Sequence, residues 1–443
     1  MQEGWLRWSF RVLVALLALL GGAGMLLVAL VLAPRLQPAS AADRAARAAL
    51  ALGAPAPARA NAFAALRGLD AMRWPDLRAT LRATSTAPAA PALCTVQLQD
   101  CLAQVQRNPA AASAALHALV TPLAVVYALP ADAMYWAPPP PKSATAPLAT
   151  LMATGFDMAG PLQRALLTRA ALSFVEGHHA AALAQACSVA QRWRALRRGS
   201  NDAVVDASGL SFSAQALQLM TQMAARLPAN TPLPAPCAAA MAPLSDAGLA
   251  LCPVASREVA WQSQAMFDIQ HKADTLRRRD HPGAVLVSAM LIDARSTARG
   301  IERAYAWACA PDLPQRLRAG HFAAPRLPAS AARGPQCIGN IVGCANLHAL
   351  VQRAPLRANI QRRETFLAQQ ATLRQWLWLR AHAPDRTPTW PDVYAHMPIS
   401  LTLPLDRPRL DGNVLVLHTP QAAQPQWRLP LPKITVAQRP APR

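Results

Sequence analysis

A chain of 443 residues, 53% of them hydrophobic, is too apolar to be disordered throughout and has room for two or three domains. Its formal charge of +21 comes from 44 basic and 23 acidic residues, but only three of the basic residues are lysines: Lys142, Lys272 and Lys433. Scattered arginine with abundant alanine and 41 prolines follows GC-rich coding. It argues against a nucleic-acid partner, which needs basic residues gathered on one face or tail, and fits weak attraction to anionic membrane surfaces better.

Residues 1–11 carry Trp5, Trp8 and Phe10 beside Arg7 and Arg11, a composition suited to a membrane–water interface. Residues 12–32 read VLVALLALLGGAGMLLVALVL, 21 residues without a charge. At 1.5 Å per residue such a helix reaches roughly 30 Å, the thickness of the hydrocarbon layer. A single transmembrane helix is expected here. The competing reading is a cleaved signal peptide ending near Ala39-Ser40-Ala41. The apolar run exceeds a signal peptide's usual core of about 7–15 residues, so an uncleaved anchor is preferred.

The flanking charges barely decide orientation; the cysteines decide it better. All eight (Cys94, Cys101, Cys187, Cys237, Cys252, Cys309, Cys337 and Cys344) lie on one side of the span. An even number fits disulfides in an oxidising compartment such as the bacterial periplasm. That leaves 1–11 as a cytoplasmic stub and the large C-terminal part in the periplasm. Three local pairs are expected: Cys94 with Cys101, Cys237 with Cys252, and Cys337 with Cys344. Seven residues along one helix would separate the Cα atoms by about 10 Å, too far for a bridge. Cys94 must therefore lie in a turn, with Asp100 capping a helix that starts beside Cys101. Eight cysteines still allow 105 connectivities.

Residues 33–60, rich in Ala and Pro, read as a linker. Residues 61–388 read as an all-helical domain. Asn108-Pro109 stops a first helix, and the stretch Ala110 to Leu129 is expected to kink at Pro122. Pro138 to Pro141 forces an extended surface loop. Pro161 to Arg198 predicts two antiparallel helices joined near Gly177 and stopped by Gly199. Leu210 to Leu227 predicts a helix. So does Ser256 to Arg279, with Ser256 as cap and Val259, Met266, Ile269, Ala273 and Leu276 on one face. Helical patterns continue through Pro282 to Ala310 and Arg357 to His382, the latter with Ile360, Leu367, Leu373 and Leu377 inward and Arg362, Arg363 and Glu364 outside. Residues 389–443 change period: Ile399 to Leu403, Val414 to His418 and Trp427 to Leu431 read as short strands, with a turn at Asp411-Gly412. The fold class is thus mainly α, with a short β-rich C-terminal tail.

No catalytic residue stands out. His178-His179 lacks any helical metal spacing, since adjacent histidines point to different sides. Ser208-Gly209 reads as a turn without the context of a nucleophile elbow. CIGNIVGC at 337–344 has no lysine after its glycines and is no phosphate loop. Asp268, Asp280 and Asp293 read as ion-pair partners of nearby arginines, and Trp376 and Trp378 as core or groove aromatics. The run Arg192, Arg194, Arg197 and Arg198 closes a helix, where cations complement the dipole. No CxxC or Cys/His pair supplies a metal site, and no cofactor motif is present.

Three stretches, NAFAALRGLDA at 61–71, CTVQLQDCLAQV at 94–105 and CIGNIVGCANLHALVQRAPLRANIQRRE at 337–364, together resemble uncharacterised single-pass envelope proteins of GC-rich proteobacteria. The resemblance implies location and no activity. The expectation is a membrane-anchored envelope protein, non-enzymatic, acting as a scaffold or binding module for an envelope protein or polymer. The alternative is an anchored periplasmic hydrolase whose site is assembled from distant histidines and aspartates.

Overall fold

The computed structural model describes residues 12–26, 36–53, 60–71, 93–94, 100–138, 159–280, 292–320, 337–353 except 338, 356–382, 389–398, 408–418 and 426–432, with single positions at 29, 322 and 401. Helix α1 covers Val12–Leu26. Then come α2 (Ala41–Ala51), α3 (Phe63–Ala71), α4 (Cys101–Arg107), α5 (Pro109–His117), α6 (Val120–Ala128), α7 (Ala159–Val175), α8 (His179–Arg197) and α9 (Ala203–Ala224). They are followed by α10 (Ala235–Met241), α11 (Asp246–Leu249), α12 (Cys252–Asp280), α13 (Ala294–Tyr305), α14 (Leu313–Arg318), α15 (Ile341–Arg353), α16 (Arg357–Ala381) and α17 (Trp390–Ala395). A short 3₁₀ turn, Ala306–Cys309, follows α13. Strands β1 (Arg409–Asp411), β2 (Val414–His418) and β3 (Gln426–Pro430) form an antiparallel sheet in that order.

Two apolar cores share two helices. The first is built from α3 to α10 with the sheet, the second from α2 and α11 to α15. Helix α9 gives Phe212, Leu217 and Met220 to the first core and Leu210 and Ala214 to the second. Helix α16 does the same, with Leu373, Trp376 and Leu379 in the first and Ile360 and Phe366 in the second. A helix serving two cores is covered nearly all round and has no polar face. Arg363, expected outside the apolar stripe of α16, is accordingly fully buried.

Local chemistry sets many boundaries. Asp100 caps α4 by accepting from the Ala103 amide at 2.9 Å. Asn108 ends α4 and caps α5, with Pro109 in the first turn, where its missing N–H costs nothing. The break between α5 and α6 falls at Ala118-Leu119 rather than at Pro122, and bends the pair by 71°. Pro122 sits in the first turn of α6, where proline is tolerated. Helices α7 and α8 form the expected hairpin, turning at Gly177 with φ +90°.

Other expectations are corrected. Ser208-Gly209 lies inside α9, not in a turn. A Cβ on Gly209 would come 3.0 Å from both the Trp193 carbonyl oxygen and the Arg197 Cβ, so the glycine admits the close crossing of α8 and α9. Ser256 does not cap α12, which starts at Cys252; its hydroxyl donates to the Leu50 carbonyl of α2 at 2.5 Å. On α12, Val259 and Met266 are buried, but Ile269 faces outward; the side chains of Ala273 and Leu276 lie outside the described residues. The first described strand of the tail is Arg409–Asp411, paired to β2 across the Asp411-Gly412 turn; the strand expected at Ile399 to Leu403 lies outside the described residues except for Leu401. The polyproline run beyond Pro138 lies outside the described residues.

Residues 41–51, within the stretch read as linker, form a docked helix. Ser40 and Asp43 make a capping box at its start. Arg47 makes a two-pronged ion pair with Glu302 of α13 at 3.0 and 3.2 Å, and Arg303 pairs with Asp43 at 3.3 Å. Arg299 donates to the Gln37 carbonyl at 3.0 Å. The chain is therefore tied to the domain within about a dozen residues of the end of α1.

All eight cysteines are joined in four disulfides: Cys94–Cys101, Cys187–Cys237, Cys252–Cys309 and Cys337–Cys344. The first and last are the local pairs expected. The expected Cys237–Cys252 pair is replaced by two bridges spanning 50 and 57 residues. Cys237 lies on α10 against α8, whereas Cys252 starts α12 against the 3₁₀ turn, so each bridge closes a tertiary contact instead of a loop.

Candidate functional site

Cys187, Gln191 and Arg194 recur along α8 at steps of four and three, and so share one helix face; Arg198, four residues on, is the residue that ends the helix. That face meets α10 and the chain after it. Cys187 is bonded to Cys237, with Cα atoms 4.9 Å apart. Gln191 donates from Nε2 to the Pro236 carbonyl at 2.5 Å. Arg194 donates to the carbonyls of Ala239 and Ala240, and from Nη2 to that of Pro243 at 3.3 Å. The last carbonyls of a helix have no internal donor and carry partial negative charge, so a guanidinium there completes α10.

A cavity of about 390 Å³ opens beside this seam. Its polar wall holds Gln191, Arg194, Arg197, Arg198, Asp132 and Ser245. Pro243 and Leu244 supply part of the apolar wall. Arg198 and Asp132 are exposed, whereas Arg194 and Arg197 are buried.

Behind the cavity the charges are unequal. Asp206 of α9 is buried and accepts from Arg197 at 3.0 Å, from Arg363 at 2.6 and 2.8 Å, and from Asn359 at 2.9 Å. Arg363 also donates to the carbonyls of Leu249 and Ala250 at 3.1 and 2.8 Å. Burial by itself would raise the Asp206 pKa; the charges of Arg363 and Arg197 and the hydrogen bonds overcome it and hold the carboxyl below its usual value. Nε and Nη1 of Arg197 find no acceptor among the described residues. Two buried guanidinium groups, Arg197 and Arg363, thus share one buried carboxylate, and a third, Arg194, meets only carbonyls among the described residues. Among the described residues neither Arg194 nor Arg198 has an ion pair. Burial, reinforced by the Arg198 charge, pushes Arg194 down to about 10; burial does the same to Arg197, helped by Arg363 and Arg194. Both remain charged at neutral pH.

A second cluster lies on α12. Arg257 pairs with Asp202 at 2.7 Å, and Gln262 donates to the Tyr305 hydroxyl at 2.6 Å. Burial and then the Asp202 charge raise the Glu258 pKa. Burial and the Glu258 charge raise that of Tyr305.

Eight of the ten histidines fall among the described residues. His117, His178, His179, His271, His382, His396 and His418 are exposed, His348 is half-buried, and none lines the arginine-walled cavity. Among the described residues no group of three or more His, Cys, Asp or Glu could hold a metal ion. Asp268 accepts from Gln264 and Asp293 caps α13, and neither has an arginine partner among the described residues; the side chain of Asp280 lies outside the described residues. Trp376 is fully buried and donates to the Pro430 carbonyl at 2.7 Å, while Trp378 is half-buried. In the CIGNIVGC segment, Asn340 packs against Thr297 and accepts from the Asp293 amide at 2.8 Å, closing a structural turn.

The sequence reading took Arg194, Arg197 and Arg198 as cations closing their own helix. The structure instead spends Arg194 on α10 and Arg197 on Asp206. The signal that was available is the shared face of Cys187, Gln191 and Arg194. No protein-family model, curated protein or solved structure matches the chain.

Proposed function

We propose that the chain is a single-pass protein of a bacterial inner membrane that carries its large C-terminal domain in the periplasm and acts there as a non-enzymatic binding module or scaffold. The observation that carries this reading is the pairing of all eight cysteines, which requires an oxidising compartment to form and persist. Support for the anchor comes from α1, whose apolar side chains lie bare: Leu17 is 60%, Leu20 67% and Met25 74% exposed. Bare apolar surface of that extent needs lipid or a partner to cover it. Among the described residues no single helix is long and apolar enough to cross a membrane. The described part of α1 covers Val12–Leu26, and the uncharged sequence continues to Leu32. The hydrolase alternative draws no support from the cavity, whose lining holds no histidine.

Thiol counting without reductant on protein from native membranes tests the compartment. Most of the eight thiols are expected to be blocked; finding six or more free would overturn it. Alkaline carbonate extraction tests the anchor, with the protein expected to stay in the membrane fraction and release refuting it.

A further inference from the structure

The arginine-walled cavity has more positive charge around it than the protein neutralises. Buried Arg197 and Arg363 share the one carboxylate of Asp206, Nε and Nη1 of Arg197 find no acceptor among the described residues, buried Arg194 meets only carbonyls, and exposed Arg198 joins the wall without an ion pair among the described residues. Desolvating cations without anions is costly, and a bound anion lowers that cost. The cavity's geometry suits such a guest. Its volume of about 390 Å³ admits a small organic anion. Arg198 stands at the exposed side without an ion pair among the described residues, and Gln191 and Ser245, which bond the Pro236 carbonyl and the Gly248 amide, add neutral polar groups to the wall. Arginine presents a planar fork that matches the oxygens of phosphate or carboxylate.

The wall is also held rigid. The Cys187–Cys237 bridge and the Arg194 and Gln191 hydrogen bonds fix α10 against α8, so the cavity exists before any ligand enters. One carboxylate opposes an anion here: Asp132, exposed on the cavity wall.

We propose that this cavity is a binding site for a small oxyanion of the phosphate type, held directly by Arg198, with Arg194 and Arg197 supplying fixed positive charge behind it. The proposal deepens the binding-module reading by naming a ligand chemistry. It does not depend on the anchor, which carbonate extraction tests separately.

The test is calorimetric titration of the oxidised full chain in detergent with inorganic phosphate, at pH 7 and low ionic strength. Saturable binding at one site is expected. Arg198→Gln removes one charge-assisted contact and should weaken it about tenfold or more. Asp132→Asn removes the opposing charge and should tighten it. Arg409→Gln, an exposed arginine outside the cavity, should leave it unchanged. Each substituted residue is exposed, so each variant is expected to fold. Absence of saturable binding, or equal affinity in the wild type and Arg198→Gln, would overturn the site. Lipid mass spectrometry of the purified chain distinguishes the source of the phosphate. A phospholipid retained by the wild type and lost from Arg198→Gln assigns it to a headgroup. Phosphate binding with no such lipid assigns it to a soluble ligand. Either result upholds the cavity.

Discussion

Two neighbouring regions hold arginine out of water in opposite ways. At the junction of the two cores, Arg197 and Arg363 converge on Asp206, with Asn359 and two carbonyls completing the set. At the cavity wall, Arg194 has only peptide carbonyls and Arg198 has no carboxylate among the described residues. The first arrangement is structural on its Arg363 side, where each donor group meets a carboxylate or a carbonyl; Arg197 is its open end, with one nitrogen on Asp206 and two without an acceptor among the described residues. The second leaves charge unspent beside open space, which is what a binding site for an anion requires. Arginine count alone would not separate the two. What separates them is whether a carboxylate from another helix arrives.

The largest effect should come from emptying the junction. Asp206→Ala leaves two buried guanidinium groups without their partner and is expected to cost about 3–5 kcal/mol, read by chemical denaturation. A loss below about 1 kcal/mol would mean that water reaches the junction. Acid should reproduce part of this effect. The folded-state pKa of Asp206 is lowered, so its contribution is complete above the unfolded value of 3.8 and disappears as pH falls through the lower folded value. The wild type should lose stability more steeply than Asp206→Ala below pH 3.8; parallel curves would refute the ionised assignment.

Next comes the staple at the cavity. Replacing Cys187 and Cys237 together with serine releases a cross-link spanning 50 residues, and loop entropy puts the cost at about 4 kcal/mol. The Cys337–Cys344 bridge spans seven residues and should cost about 2.5 kcal/mol by the same measure. Comparison of the two double variants by thermal melting checks the order, and a larger loss from the short bridge would contradict it.

Smaller still is Glu258→Gln. Burial and Asp202 raise the Glu258 pKa, so its ionised form costs stability once pH rises above the unfolded value near 4.5. The variant should be more stable than wild type at pH 7 and indistinguishable from it at pH 3.5. Destabilisation at pH 7 would show that the Gln262 hydrogen bond and the Arg257 charge outweigh the cost of burial. Least of all, Arg198→Gln should change stability by less than about 0.5 kcal/mol, since the side chain is exposed and has no ion pair among the described residues. A larger loss would make Arg198 a structural residue and blur its contrast with Arg363.

The sequence by itself determined what acts over a few residues. Asp100 and Asn108 cap because their side chains reach amides two or three positions on. Gly177 turns the α7–α8 hairpin because it alone accepts φ of +90° cheaply. Cys94–Cys101 and Cys337–Cys344 were legible because a turn brings near neighbours together. Helical class followed from apolar period, since burial of one face needs only local spacing. The tertiary structure decided everything that joins distant residues. Arg363 reaches Asp206 across 157 positions, and no stripe along α16 announces it, because α16 is buried on nearly every side. Cys237 chose Cys187 over the nearer Cys252 because α10 packs on α8 while α12 packs on the 3₁₀ turn. Gly209 reads as a turn residue until α8 is seen crossing it at contact distance. The arginine cavity was hidden for the same reason: charge in a sequence is a count, and whether that charge is cancelled depends on which side chains the packing brings within a few ångströms.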